Sequence, residues 1–462
     1  MSIIAYSLGA VGEVTGSKHI LEIDGLPYMI DCGAWQGAES AQERNRGFTF
    51  PVDKLQAVFL THAHYDHCGL LPKLIKDGYT GSIRSTPATR DLASIVMLDS
   101  AKIQKYEKAG PAYEEADVVE TINHFRCHAY RKEKVLDERV TYTMYDAGHI
   151  LGSSMIDISI PRKRNFFQKL IKKEDERMHI LYTGDLGRNS NPITRMPDTD
   201  MPAPDYIFLE STYGNRTHES LEHCYGELTS VINETIKRGG KVIIPSFAVE
   251  RAQEIIYYIK KLMAVDAIPR VPVYVDSPMA SNATGVFNIH PECFNEKIVS
   301  EFISKGKNPF SVRSLQFISD FRESQAVAKS QVPAIVIAAN GMCEAGRIIN
   351  HLKEGIENPK NTILIVGYMG EGTLGRKILE KEELLNIDNK EYHLKAEVHK
   401  INAFSAHADY NEIAAWLKAV DTSKLKKIFL VHGDKDAQEY LQQHLEGKGY
   451  KVEIVTGDPI KL

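Results

Sequence analysis

At 462 residues, with 43% hydrophobic and 25% charged residues, the chain has the composition of a folded protein with more than one core. A net charge of −5 excludes a general polyanion-binding field, so any nucleic-acid binding has to come from a local groove and from bound cations. No apolar run approaches a membrane span and the amino terminus lacks the pattern of a secretory signal, while six scattered cysteines without a C-x-x-C pair fit a reducing cytoplasm.

The chain opens with two strands, Ile3–Leu8 and His19–Ile23, around a Gly-rich turn; a third, 28–31, ends at Asp31 before Cys32 and Gly33. An apolar strand, 56–60, then runs into Thr61-His62-Ala63-His64-Tyr65-Asp66-His67-Cys68-Gly69. Alternation beyond a strand end sends His62 and His64 to one side. Asp66 and His67 fall where Leu70, Leu71, Leu74 and Ile75 suggest the start of a helix. One pair would hold one cation and the second pair a neighbouring one. Imidazole nitrogens with carboxylate oxygens suit zinc best, ahead of manganese or iron. The plainer alternative, two chance histidines beside a helix cap, fits a lone His far better than H-x-H-x-D-H after a strand.

Beyond a helix at 87–107, His149 stands in a Gly-flanked turn (Asp146 to Ser153) ahead of the strand 155–160. A basic stretch, 161–177, follows; a solvated loop is its plainer reading and a phosphate-contacting rim the sharper one. The strand 179–183 leads to Asp185, and 206–210 ends in Glu210. Strands at 241–245, 271–275, 333–339 and 362–367 then alternate with helices at 219–238, 249–264, 322–330 and 345–354, which indicates an α/β architecture. A helix at 411–419 precedes the strand 427–432, which ends in His432 before Gly433. Taken singly, His149, Asp185 and His432 are as well explained as core or turn residues. Their joint placement at strand ends is hard to reach by chance.

The run of Asp31, H-x-H-x-D-H, His149 and Asp185 resembles motifs one to four of the metallo-β-lactamase fold. Glu210-Ser211-Thr212-Tyr213-Gly214, Phe404-Ser405-Ala406-His407-Ala408-Asp409 and Leu430-Val431-His432-Gly433 resemble motifs A, B and C of its nucleic-acid-processing β-CASP branch. Ser246 to Glu254, Asp276 to Ala280, Asn340 to Met342 and Gly372 to Arg376 add further similarity, so the resemblance runs from about residue 8 to 433. It implies a metallo-β-lactamase αββα sandwich built from 1–208 and 395–462, with an inserted α/β β-CASP domain at 209–394.

The same resemblance implies two zinc ions per chain, with manganese as the alternative. One would take His62, His64 and His149, the other Asp66, His67 and His432, with Asp185 bridging and a metal-activated hydroxide attacking the phosphodiester. Asp31 would orient the ligands from outside. Asp66, Asp185, His407 and Glu210 would be catalytic, His407 protonating the departing ribose oxygen and Glu210 pairing with it to raise its pKa. Arg251, Arg347 and Ser405 would contact substrate phosphate, although both arginines also read as ordinary surface residues. Two positions depart from the family pattern, Glu250 and Ala345, each where glycine is common.

The Artemis-type DNA nucleases of this branch lack a histidine at motif C, so His432 turns the resemblance toward RNA. The implied activity is zinc-dependent cleavage of single-stranded RNA in the cytoplasm, endonucleolytic with a 5′ exonuclease as companion, without a membrane and with a homodimer admitted. The alternatives are a DNA-directed β-CASP nuclease and an inactive RNA-binding subunit, which would have lost ligands that this chain keeps. A small-ester hydrolase resembling glyoxalase II conflicts with the insertion between Asp185 and His407, which is too long for a loop.

Overall fold

In the first strand, Ile3–Gly9, every second residue is buried, the two-residue period of a strand with one face on a core. The computed structural model describes residues 2–37, 40–106, 110–162, 177–219, 221–367, 369–370, 372–401 and 405–462. Most of the basic stretch 161–177, and Phe404 of the motif-B run, lie outside the described residues. Two compact units emerge, Met1–Thr217 with Ala406–Leu462, and His218–Ser405. The sequence reading places its boundaries earlier, at 208/209 and 394/395. The later division keeps Tyr213 with the first unit, where it pairs with Asp409.

The first unit holds two seven-stranded sheets. In one, Ile3–Gly9 lies between Ile460–Lys461 and Lys18–Ile23, and Leu26–Ile30, Ala57–Phe59, Ser82–Ser85 and Phe125–Cys127 continue the order. The other runs Val452–Ile454, Lys427–Val431, Tyr206–Glu210, Arg177–Tyr182, Ser154–Pro161, Thr141–Asp146 and Lys134–Val135. Their facing sides share one core, in which Leu21, Tyr28 and Phe59 of the first sheet pack with Tyr142, Ile158, Phe208 and Phe429 of the second. On the far side of the second sheet, Ile413 and Trp416 of helix Tyr410–Ala419 and Leu441 and Leu445 of helix Lys435–Glu446 join Leu209 and Leu430. Asp409 starts the helix at 410 with a capping box, accepting from the backbone of Asn411 and Glu412 while Glu412 returns to the Asp409 N–H. This is the αββα arrangement.

The second unit contains a six-stranded parallel sheet in the order Leu315–Phe317, Val273–Asp276, Ile335–Ala338, Val242–Pro245, Thr362–Ile365 and Glu397–Lys400. A separate hairpin pairs Leu384–Ile387 with Lys390–His393. Strands Val242–Pro245, Ile335–Ala338 and Thr362–Ile365 are buried along their whole length, as parallel strands covered on both faces must be. Among the described residues no helix is long and apolar enough to cross a membrane.

Candidate metal centre

Six strand ends of the first unit deliver the functional side chains. Asp31 follows Leu26–Ile30, Thr61 and the histidine run follow Ala57–Phe59, and His149 follows Thr141–Asp146. Asp185 follows Arg177–Tyr182, Glu210 closes Tyr206–Glu210 and His432 follows Lys427–Val431. Two of these positions, Asp31 (φ 59°) and His432 (φ 52°), adopt the left-handed backbone that a side chain other than glycine rarely takes. Hydrogen bonds hold both in place: Asp31 N donates to Phe59 O at 2.8 Å and His432 N to Ala10 O at 2.9 Å.

His62, His64, His149 and Asp185 converge in one cluster, and Asp66, His67 and His432 in a second. His64 Nδ1 lies 3.1 Å from both His62 Nε2 and His149 Nε2, and Asp185 Oδ2 lies 3.4 Å from His62 Nε2 and 3.5 Å from His149 Nε2. In the second cluster His67 Nε2 is 3.1 Å from His432 Nε2, which is 3.5 Å from Asp66 Oδ2. Asp185 Oδ1 stands 3.3 Å from His67 Nε2, so this one carboxylate faces both clusters. Four ligands set tetrahedrally at about 2.0–2.1 Å around a zinc ion would be separated by about 3.3 Å. The two sets of distances have the spacing that such an ion requires.

Tautomers follow from the surrounding hydroxyls. Thr61 Oγ1 donates to Asp31 Oδ2 at 2.8 Å and therefore accepts from His62 Nδ1 at 3.0 Å. His67 Nδ1 donates to Asp31 Oδ2 at 2.7 Å. Thr212 Oγ1, 3.2 Å from the His432 carbonyl, lies 3.0 Å from His432 Nδ1. These partners leave the Nε2 lone pairs of His62, His67 and His432 pointing inward. With these nitrogens turned inward, Asp185 Oδ1, buried without a hydrogen-bond partner, fits a cation in each cluster. Thr61 and Thr212 are the functional residues that sequence reasoning passed over, although each adjoins a quoted motif.

Burial holds His62 down at about 3 and His64 at about 4, and pushes His149 well below the ordinary imidazole value. These rings are neutral at cellular pH, as metal ligation demands. Burial opposes charge on His67 too, but the Asp185 and Asp31 carboxylates outweigh it and raise its pKa. Asp185 is likewise resisted by burial, yet His432, His67 and His62 hold it well below the carboxylate range. Asp66 is lowered against burial by its hydrogen bond to His432.

His407 sits beside this centre without belonging to either cluster. Its Nδ1 is 3.0 Å from Glu210 Oε1 and its ring centroid 4.6 Å from that of His149. Burial pulls its pKa down, but the Glu210 carboxylate and then Asp185 lift it to about 9. Glu210, fully buried, is itself fixed: Oε1 accepts from Leu186 N at 2.8 Å and Oε2 from Thr212 N at 3.0 Å.

The residues read as phosphate holders stand in the second unit. Arg347 Nη1 donates to Asp276 Oδ1 at 2.8 Å and to Ile318 O at 3.0 Å, and Nη2 to Ser319 O at 2.5 Å. With Ser324 and His351 also on Asp276 Oδ2, this guanidinium closes a buried network at the carboxyl edge of the parallel sheet. Arg347 thus has internal acceptors in this unit while its side chain stays partly exposed. Arg251, nearly buried, donates to Glu254 Oε2 at 2.8 Å. Ser405 is half-buried at the end of the unit. Glu250 has φ 65° and ψ −59°, and Arg251 N donates across it to Val249 O at 2.8 Å, a γ-turn strained for any residue with a Cβ. That conformation explains why glycine is common at this position; Ala345 has no such signature.

Three family models match the chain: the metallo-beta-lactamase superfamily over residues 14–125, the Beta-Casp domain over 252–378, and the Zn-dependent metallo-hydrolase RNA specificity domain over 391–455. The chain is 34% identical over 447 residues to Ribonuclease TTHA0252 of Thermus thermophilus, covering 96% of each. It is 30% identical over 440 residues to the transcription termination factor FttA of Methanosarcina mazei, covering 93% of this chain and 67% of that one. A solved structure of a protein of unknown function from Enterococcus faecalis V583 matches it end to end with TM-score 0.55 at 11% identity, a likeness of fold alone.

Proposed function

The chain belongs to the β-CASP family of metallo-β-lactamase-fold ribonucleases, metal-dependent hydrolases, and from that premise we propose that it cuts single-stranded RNA endonucleolytically with two zinc ions. The observation that carries the proposal is the pair of clusters, His62/His64/His149 and Asp66/His67/His432, turned toward one buried Asp185 with His407 alongside. Zinc ions bound there would supply acidified water and neutralise phosphate charge, with manganese as the substitute metal. The chain's own residues do the rest. Asp185 holds the two halves of the site in register, and Asp31 and the hydroxyls of Thr61 and Thr212 keep the ring nitrogens aimed inward.

His407, kept protonated by Glu210, donates a proton to the departing ribose oxygen, a role that requires it to be charged at working pH. The six cysteines, spread through both units without a C-x-x-C pair, support a reducing cytoplasm as the working compartment. The termination-factor relatives are longer than this chain, and the activity proposed here is cleavage.

The test measures bound metal and follows matched single-stranded RNA, duplex RNA and single-stranded DNA labelled at either end, for wild type and Asp66→Asn. Two zinc ions per chain and internal cuts in single-stranded RNA, lost in Asp66→Asn, are expected. Release of mononucleotides from the 5′ end alone would replace the endonuclease by an exonuclease. Equal cleavage of DNA would favour the DNA-directed branch, and full activity in Asp66→Asn would overturn the metal assignment.

A further inference from the structure

Glu210 holds His407 at one edge, Nδ1 lying 3.0 Å from its Oε1, and an edge contact does not by itself fix the plane of an imidazole. A general acid needs its second nitrogen aimed, and a displacement of about 1 Å can cost about 100-fold in rate. The structure supplies a second constraint. The phenol ring of Tyr213 lies against His407 with centroids 5.9 Å apart and planes within 16°, a stacked pair.

Both rings are anchored through their backbones. Tyr213 pairs in a β-bridge with Asp409 and His407 with Gly187, and Ala408 N donates to Leu186 O at 2.7 Å. On the phenol, the Arg216 guanidinium stands 5.5 Å from the ring centroid, within cation–π range. Tyr213 follows Glu210 by three residues, so one short segment carries both the carboxylate that holds the edge of His407 and the ring that covers its face.

We infer that Tyr213 is a positioning residue for the cleavage reaction, its aromatic face setting the plane of the His407 imidazole. The inference rests on the reading of His407 as the proton donor. It requires the ring and not the hydroxyl, so Tyr213→Phe should behave as wild type. Tyr213→Leu should lower kcat by about tenfold or more at unchanged KM and unchanged metal content.

The experiment is a double-mutant cycle with single-stranded RNA as substrate, comparing Tyr213→Leu, His407→Ala and the double variant, with Tyr213→Met as a second non-aromatic replacement and thermal melting to confirm folding. A second readout needs no catalysis: in histidine-ring NMR of the metal-free protein, the His407 signals should shift and broaden in Tyr213→Leu and return in Tyr213→Phe. The inference holds if Tyr213→Leu costs nothing further once His407 is gone. It is overturned if the loss persists in full in the His407→Ala background, or if Tyr213→Phe loses as much as Tyr213→Leu. Wild-type cleavage by His407→Ala would instead sink the proton-donor reading, and this inference with it.

Discussion

Replacing Asp31 by alanine should weaken both metal sites at once, although Asp31 is not itself in either ligand cluster. Its carboxylate, 1% exposed, accepts from Thr61 N at 2.8 Å, Thr61 Oγ1 at 2.8 Å and His67 Nδ1 at 2.7 Å. Through the Thr61 hydroxyl it also governs the His62 Nδ1 proton. One carboxylate thus orients a ligand in each cluster. Its removal strands three buried donors, each worth about 1–3 kcal/mol, and leaves alanine at φ 59°, which adds about 1–2 kcal/mol. Loss of such an outer partner typically lowers metal affinity about 10–100-fold. We expect that loss for both zinc ions, larger at the His67 side, and a metal-free protein destabilised by at least about 3 kcal/mol. Asp31→Asn, which tolerates the backbone and keeps one acceptor oxygen, should fall between. Competition against a chromogenic chelator gives the two affinities, and urea unfolding of chelated protein gives the stability. Two unchanged zinc affinities in Asp31→Ala would refute the reasoning.

Three further outcomes are expected. Gly33→Ala should abolish metal binding or folding, because its Cβ would lie 1.5 Å from Asp66 O and 2.7 Å from His67 N; a soluble variant with two bound zinc ions, measured by elemental analysis, would contradict this. In metal-free protein His407 should titrate near pH 9, so the stability that its charge contributes is complete below its ordinary value of about 6.5 and disappears as pH rises through about 9. NMR titration should find a clearly lower midpoint in Glu210→Gln, where burial is opposed by Asp185 without the Glu210 carboxylate; an unmoved midpoint would show that Glu210 is not the cause. Glu250→Gly should raise the thermal midpoint by relieving about 1 kcal/mol or more of backbone strain, and a lower midpoint would mean that the carboxylate contributes more than its γ-turn costs.

The residues of the two clusters were legible in the sequence because they stand at the ends of strands with continuous apolar runs, 57–59, 206–209 and 428–431 among them. The helix at 251–264 was read two residues early, since the γ-turn at Glu250 has no signal in a residue that is not glycine. The hydrogen-bond acceptors of Arg347 were not legible at all. Its acceptors, Asp276, Ile318 and Ser319, come from the ends of other strands of the parallel sheet, and only the crossovers bring them within reach. The same holds for Thr61 and Thr212, whose task depends on which ring nitrogen lies 3.0 Å away.

The two ends of the chain meet in the first unit: strand Ile460–Lys461 pairs with Ile3–Gly9, and His432 hangs from the carbonyl of Ala10. If the clusters are the ligand set, this closure imposes a timetable on biosynthesis. His62, His64, His149 and Asp185 leave the ribosome about 250 residues before His432, an interval of about 12–50 s at ordinary elongation rates. Over that interval the second cluster lacks one of its side chains, and His432 is the last residue of the set to be made.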